Sequence, residues 1–558
     1  MFKQFESAVL KGLKSKTQKR VILLVTLIAF ILSVLMLPTE LVLAKMLPGK
    51  NNDTFNIYVD LPTGSSISQT SSVSQCVVSL LQNEKDIRDI EVFLGMGSPL
   101  DFAGLIKGSQ FKNSENVAEI VLNLSASHHR KEPSYMMVQR LRPLINKQCE
   151  NIYLGTSIKF VEPPAGPPVM AAIVAEVYGH DADGIRTLAL KIEKVFKSIK
   201  GLVDIDIMQD EIYDSFEIRV DSIKIARSGL SVKQVNDILY IAFEGMNIAV
   251  KNSEVYDDQI PIFLRLSPET KLFTSKSKTS IEAKLSSLKL MNSQGMMVPI
   301  TEVVKVLAIK SNPMIMSKNL VQMTNIVAET DMLSQVYPLM DVRNIILDSF
   351  TKDYEIKKIG LFNLELTNKV SQKVYTLIWD GEMEVTLDTF VELGAAFIAA
   401  LILIFLLMVV YYKSFKLSGI ILLGSFLSII GVIVGHFIMD LFSADTFFLT
   451  ATSLIGFIAL IGISSRNSLL LLDFTKSLIF EKGMEQKEAI AYATATRAKP
   501  IFLTAVAIIL ASTLLASDAV FGGLGVALIF GTMAAVVASL IVVPVLMDNT
   551  DLKKEFSK

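Results

Sequence analysis

The sequence predicts an α/β membrane protein, with six transmembrane helices and one large aqueous domain built from repeated β-α-β-β-α-β units. Three observations carry that reading. The 558 residues are 51% hydrophobic yet 20% charged, with a mean hydropathy of +0.47, too apolar for an ordinary soluble protein and too charged to lie wholly in lipid. Six stretches reach the roughly 20 mostly apolar residues that a helix needs to cross a bilayer. The long polar region between the first and second of them repeats one order of alternating strands and amphipathic helices.

The first span is read at 21–44, beginning VILLVTLIAFILSVLML, and the others at 391–412, 418–440, 446–472, 500–517 and 521–547. Lysine and arginine bias orients them. The basic lead at 1–20, MFKQFESAVLKGLKSKTQKR, is placed in the cytoplasm. Alternation then puts Lys413 and Lys416 inside, with Lys476, Lys482, Lys487, Arg497 and Lys499 in an inner loop at 473–499 and Lys553, Lys554 and Lys558 in the 549–558 tail. The short outer loops hold Asp440, Asp445 and Asp518 but no Lys or Arg. Both termini are therefore expected in the cytoplasm, with the large domain on the extracytoplasmic side. Val42-Leu43-Ala44 has the form of a cleavage site, but the apolar core is long for a signal peptide, and the span is read as an uncleaved anchor.

In the large domain, FNIYV (55–59) alternates as a strand. Ser66 and Gln69 form a capping-box pattern ahead of a helix carrying Val73, Val77 and Leu80. Strands near 89–94 and 117–124, a helix near 134–148 and a strand near 156–161 complete one unit. A second unit is read after the stiff linker EPPAGPP (162–168). It has a strand at 169–177, a helix with Ile185, Leu188, Ile192, Val195, Phe196 and Ile199 on one face, strands at 202–208 and 216–220, a helix capped by Ser231 and Gln234, and a strand at 260–266. This order is that of a split βαβ, ferredoxin-like sandwich. The expected divisions are 45–162 and 163–270 for the two subdomains, 271–388 for a β-rich docking portion with a hairpin at Asn292–Gly295 and a helix near 335–350, and 389–548 for five further helices.

Several function classes are excluded or weakened. A net charge of −1 gives no footprint for nucleic acid. No G-x-x-x-x-G-K-[ST] pattern offers a site for ATP, and nothing argues for an enzyme. Cys76 and Cys149 would pair in an oxidising compartment, but two buried free thiols are the preferred reading. His128-His129 reads as a solvated loop, and His436 as a packed residue near an outer helix end.

One residue resists a bland account. The span IALIGISSRNSLLLLDF (458–474) contains Arg466, a cation that stays charged under ordinary conditions and is costly in lipid. It could snorkel to the inner interface or pair with Asp473, seven residues and about 10 Å along the axis.

The stretches KMLPGKNNDTFNIYVDLPTG (45–64), PPAGPPVMAAIVAEVYG (163–179), WDGEMEVT (379–386), FLTATSLIGFIALIGISSRNSLLLLDF (448–474) and RAKPIFLTA (497–505) resemble, in order and spacing, the C-terminal half of a resistance-nodulation-division (RND) efflux permease of the hydrophobe/amphiphile branch. The resemblance implies proton-driven export of drugs, detergents or bile salts. It also implies a trimeric assembly, a periplasmic adaptor and an outer-membrane channel. The proton gradient would be the energy source, with no cofactor. Arg466, Arg497 and Thr504 match the basic half of the family's proton relay, with Asn467, Ser468 and Asp473 as support. The family's other half supplies an acidic pair that these six spans lack, so the resemblance implies a separate N-terminal-half subunit. The alternatives are a membrane-anchored periplasmic scaffold that transports nothing, or a decayed remnant. Ala519 and KSFKLSG (413–419) replace prolines common in the family. Met96, Met136, Met137, Met170, Met296, Met297, Met314, Met316 and Met323 raise copper(I) export through soft thioethers, but no MxxM cluster appears, and amphiphile export is read ahead of metal export.

Overall fold

The structure is a computed structural model and describes residues 2–49, 51–99, 102–109, 112–163, 166, 169–209, 211–252, 254–255, 259–267, 277–331, 334–443 and 446–556. Asp445, Lys558 and four residues of the 162–168 linker lie outside them. The chain divides into two compact units, Met1–Met208 with Ile315–Lys558, and Gln209–Met314.

The first unit opens with α1 (Phe2–Lys14) and α2 (Lys16–Leu35). A sheet follows, built from β1 (Thr54–Asp60), β2 (Ile87–Met96), β3 (Asn113–Leu124) and β4 (Ser157–Val161), in the order β2-β3-β1-β4 with each neighbouring pair antiparallel. Its connections are α3 (Ile67–Leu81), α4 (Phe102–Lys107) and α5 (Ser134–Cys149). Because side chains alternate along a strand, β1 sends Phe55, Ile57 and Val59 into the core with Val73, Val77, Leu141 and Ile145 of α3 and α5. Asn56 and Asp60 fall on the other face, where Asp60 pairs with Lys112 and Lys159.

The same neighbour order recurs, with a long excursion inside it. β5 (Ile173–Gly179), α6 (Ala182–Ser198) and β6 (Leu202–Ile207) begin the second lobe, and the chain then leaves for the second unit. That unit contains β7 (Asp214–Val220), α7 (Ser222–Arg227), α8 (Val232–Phe243), β8 (Met246–Lys251), β9 (Ile260–Leu264), α9 (Lys278–Leu285), β10 (Lys289–Met291), β11 (Met297–Pro299) and β12 (Val304–Lys310). Back in the first unit, β13 (Met316–Lys318), β14 (Val321–Thr330), α10 (Val336–Ser349), β15 (Tyr354–Ile359), β16 (Asn363–Asn368) and β17 (Val374–Asp380) complete the sheet β13-β14-β5-β17-β16-β15, with β6 also on β14. The path β6-β14-β5-β17 therefore repeats β2-β3-β1-β4.

This corrects the expected second repeat. The strand at 216–220, the helix capped by Ser231 and the strand at 260–266 do not complete the sheet begun by β5. β7 pairs with β12, β8 pairs with β9, and a separate core forms around Ile225, Val235, Leu285 and Val303. The inserted segment has its own strand–helix–strand alternation, and periodicity reports which face of a strand is buried, not which strand lies beside it.

The second correction is the cysteines, which form a disulfide. α3 and α5 lie together on one sheet face, so residues 73 apart in sequence come to a Cα–Cα distance of 5.8 Å, within bridging range.

Among the described residues six helical stretches are long and apolar enough to cross a membrane: α2, α11 (Glu382–Tyr412), α12 (Phe415–Phe426) with α13 (Ser428–Phe442), α14 (Ala451–Phe480), α15 (Gln486–Ala516), and the run Gly522–Asp548. That run comprises α16 (Gly522–Val537), a π-helical turn (Ala538–Val542) and α17 (Val543–Asp548), with a short α18 (Leu552–Phe556) after it. The expected inner loop at 473–499 shrinks to 481–485, because Leu478, Ile479, Ala489, Ile490 and Ala493 bury themselves against Leu13 of α1 and Val545 of α17. α11 springs directly from β17 through Gly381. That glycine has φ +89°, and a Cβ there would lie 2.6 Å from the Ala171 carbonyl oxygen.

Candidate functional site

Arg466 sits on α14 with its side chain exposed on the bundle surface. Among the described residues it makes no ion pair or hydrogen bond. The pairing with Asp473 is not formed. Tyr412 of α11 donates its hydroxyl to Asp473 Oδ1 at 2.7 Å, and Tyr411 donates to Oδ2 at 3.5 Å. Asn467 and Ser468 are buried, at 6% and 0% exposure, so they face the bundle interior where Arg466 faces out. Ser468 Oγ lies 3.2 Å from where a Cβ on Gly424 of α12 would be, which directs it toward that helix.

Arg497, on the antiparallel neighbour α15, sets its guanidinium 5.1 Å over the Phe474 ring of α14. Its Nε is buried and, among the described residues, has no hydrogen-bond partner. Thr504 lies seven residues further along α15, about 10 Å, while Arg466 lies eight residues back along α14 from Phe474, about 12 Å. The two antiparallel helices thus bring Thr504 to nearly the level of Arg466. Both are on exposed positions, and the Thr504 hydroxyl donates to the Ile501 carbonyl at 2.9 Å. Arg466 and Thr504 thus share an open face of the bundle, and among the described residues no carboxylate answers Arg466.

Two polar features had no clear sequence signal. In the C-terminal half of α13, fully buried His436 is bonded on both ring nitrogens, Nδ1 at 2.8 Å from the Val432 carbonyl oxygen and Nε2 at 2.8 Å from Ser453 Oγ. Ser453 continues to Thr450 at 3.0 Å, Thr450 to Thr452 at 2.8 Å, and Thr452 to the Val520 carbonyl at 3.2 Å. The Thr450–Ser453 capping box at the start of α14 is readable from sequence, but the histidine joined to it from α13 is not.

Where the two sheet lobes meet the helices there is a cavity of about 140 Å³, lined among others by Lys45, Lys107, Glu162, Glu329 and Glu382. Lys107 pairs with Glu329 at 2.5 Å. Glu162 Oε1 is buried without a hydrogen-bond partner among the described residues. Burial, reinforced by the Glu329 charge, pushes the Glu162 carboxyl up to about 7 against the pull of Arg142, Lys107 and Lys45. The lobes are also joined by Arg142, which reaches Asp204 at 3.0 Å and Asp331 at 3.2 Å, and by Lys159, which pairs with Asp60 and Asp206.

Six helical stretches long and apolar enough to cross a membrane, with two sheet lobes, are the architecture of a membrane permease. The sequence pattern of the AcrB/AcrD/AcrF family matches residues 1–548, and the chain belongs to that family, the efflux permeases of RND type. It is 23% identical over 535 residues to the swarming motility protein SwrC of Bacillus subtilis, covering 93% of this chain and 45% of that one. It is 22% identical over 400 residues to the cobalt-zinc-cadmium resistance protein CzcA of Cupriavidus metallidurans, covering 69% and 34%. A heavy metal efflux pump solved by X-ray crystallography shares the fold, with a TM-score of 0.71 at 17% identity over 97% of this chain and 51% of that one. The chain thus spans about half the length of the relatives it matches, or less.

Proposed function

We propose that this chain supplies one half of a proton-driven efflux permease for amphiphilic compounds and contributes the basic part of the proton relay through Arg466, Arg497 and Thr504. The single observation behind this reading is Arg466, which stands on the exposed face of a membrane helix with no anion among the described residues to answer it. A cation there is costly in lipid unless a partner helix covers it. A carboxylate pair on a complementary half would be held charged by Arg466, and protonation of one member would loosen that grip and move a helix.

The repeated neighbour orders, β2-β3-β1-β4 and β6-β14-β5-β17, support two ferredoxin-like porter lobes. The Cys76–Cys149 bridge supports an oxidising compartment for them, hence a periplasmic domain and cytoplasmic termini. A trimer of paired halves, an adaptor and an outer-membrane channel are the assembly this reading requires. A second reading, export of heavy-metal cations, is favoured by the name of the CzcA relative. Amphiphiles remain the first choice because the stretches at 45–64, 163–179, 379–386, 448–474 and 497–505 resemble the amphiphile branch.

The test is co-reconstitution with a complementary half that carries an acidic pair, followed by substrate-driven proton flux across the vesicle. Arg466→Ala should abolish flux and Arg466→Lys should retain part of it. Full flux in Arg466→Ala vesicles would sink the relay role, and flux of cobalt or zinc but not of amphiphiles would select the metal reading.

A further inference from the structure

A groove of about 270 Å³ runs along the bundle surface between α2 and the α12–α13 pair, on helices other than those that carry Arg466 and Arg497. Its floor is Leu427 and Val542, at 8% and 5% exposure. Leu23, Leu27 and Phe30 of α2 form one wall. The Phe30 and Phe426 rings meet at 5.5 Å and close the end toward the α2 C-terminus. The hydroxyl of Thr26, also in the groove, turns back onto the Ile22 carbonyl at 2.8 Å, so it offers no free hydrogen bond.

The other end is cationic. Lys16, Arg20, Leu23, Leu27 and Phe30 follow at gaps of four, three, four and three, so they share one face of α2. Lys16 and Arg20 are exposed, and among the described residues neither has an ion-pair partner. Lys19 between them is committed to Asp548 at 2.6 Å. Arg20 to Phe30 spans about 15 Å, half of a bilayer's roughly 30 Å hydrocarbon core and so the depth of one leaflet. The groove itself is lined from Leu23 to Phe30, about 10 Å along the helix, and Lys16 and Arg20 lie beyond its open end.

We propose that this groove is a binding site for an anionic phospholipid of the leaflet at the N-terminal end of α2, with one acyl chain between Leu23 and the Phe30–Phe426 pair and the phosphate on Lys16 and Arg20. The unpaired cations at the open end, beside an apolar groove closed by the Phe30–Phe426 pair, match an anionic headgroup with an acyl chain and select a lipid over a partner helix.

The full chain, purified from micelles holding equal phosphatidylglycerol and phosphatidylcholine, should retain phosphatidylglycerol in native mass spectrometry. The preference should be at least about fivefold, roughly the effect of one cation near an anionic surface. Arg20→Gln with Lys16→Gln should erase the preference, whereas Arg20→Lys should keep it. Thr26→Phe, which fills the groove, should lower retention of both lipids. Equal retention of the two lipids, or no bound lipid, would overturn the proposal. So would Leu27→Cys cross-linking to another polypeptide in native membranes, because a protein would then occupy the groove.

Discussion

Tyr412 donates its hydroxyl to Asp473 at 2.7 Å and so occupies the one carboxylate that Arg466 could have reached along its own helix. A hydrogen bond to an ionised group contributes roughly 1.5–3 kcal/mol. Tyr412 and Asp473 should therefore couple by about 2 kcal/mol in a double-mutant cycle of Tyr412→Phe and Asp473→Asn, read by thermal or denaturant unfolding in a defined detergent. The companion cycle of Arg466→Ala with Asp473→Asn should give close to zero. Coupling above about 1 kcal/mol in the second cycle would mean that Arg466 is answered within its own chain, and the need for an outside anion would disappear.

Arg142 ties the two lobes by holding Asp204 and Asp331, with its guanidinium 5.4 Å over the Phe160 ring. Asp204 is nearly buried, with 4% of its side chain exposed. Burial pushes its carboxyl up, and Arg142 opposes that. Removing the arginine strands a buried carboxylate, and Arg142→Ala should cost about 3 kcal/mol or more. Arg142→Ala with Asp204→Asn should recover most of that loss. A double variant no more stable than Arg142→Ala alone would show that the arginine acts through packing on Phe160 instead.

The first lobe was legible almost residue by residue, because the Ser66–Gln69 cap, the alternation of 55–59 and the apolar face of α3 are local signals. The second lobe was not. Its third strand, β14, lies more than one hundred residues beyond β6, and the insert between them carries its own capping box at Ser231 and Gln234. The same distinction holds at the site. Arg466, Arg497 and Thr504 were singled out by the family resemblance, but Tyr412 under Asp473, Phe474 under Arg497 and Ser453 beside His436 are contacts between helices that no single periodicity encodes.

The Cys76–Cys149 bridge closes a long loop, with a sequence separation of 73, and joins α3 to α5 over the first sheet. Chain-entropy arguments give a bridge of that span about 4 kcal/mol. Protein carrying Cys76→Ser and Cys149→Ala should melt well below the parent, and reductant should shift the parent but not the variant. Quantitative alkylation of denatured protein taken directly from cells should find no free thiol. Two free thiols per chain would remove the support for an oxidising compartment around this lobe.

Glu162 gives the sheet lobes a pH dependence of a definite sign. Its folded carboxyl titrates at about 7 against an ordinary value of 4.5, so the folded state holds its proton more tightly than the unfolded state does. The contribution to stability is fully present below about pH 4.5 and is lost as the pH rises through 7. Asp60 runs the other way. Burial alone would raise its carboxyl, but Lys112 and Lys159 overcome that and hold it near 2, so its contribution is present above 3.8 and lost only as the pH falls toward 2. Between pH 4.5 and 7 Asp60 is therefore silent and Glu162 is not. Glu162→Gln, which cannot ionise, should flatten the stability profile in that window by on the order of 2 kcal/mol while leaving the acid limb set by Asp60 in place. Equilibrium unfolding of parent and variant across pH 2 to 8 tests this directly. Parallel profiles would show that Glu162 finds a compensating charge when it ionises, and the cavity with Lys45 and Lys107 would then be a neutralised joint rather than a proton-sensitive one.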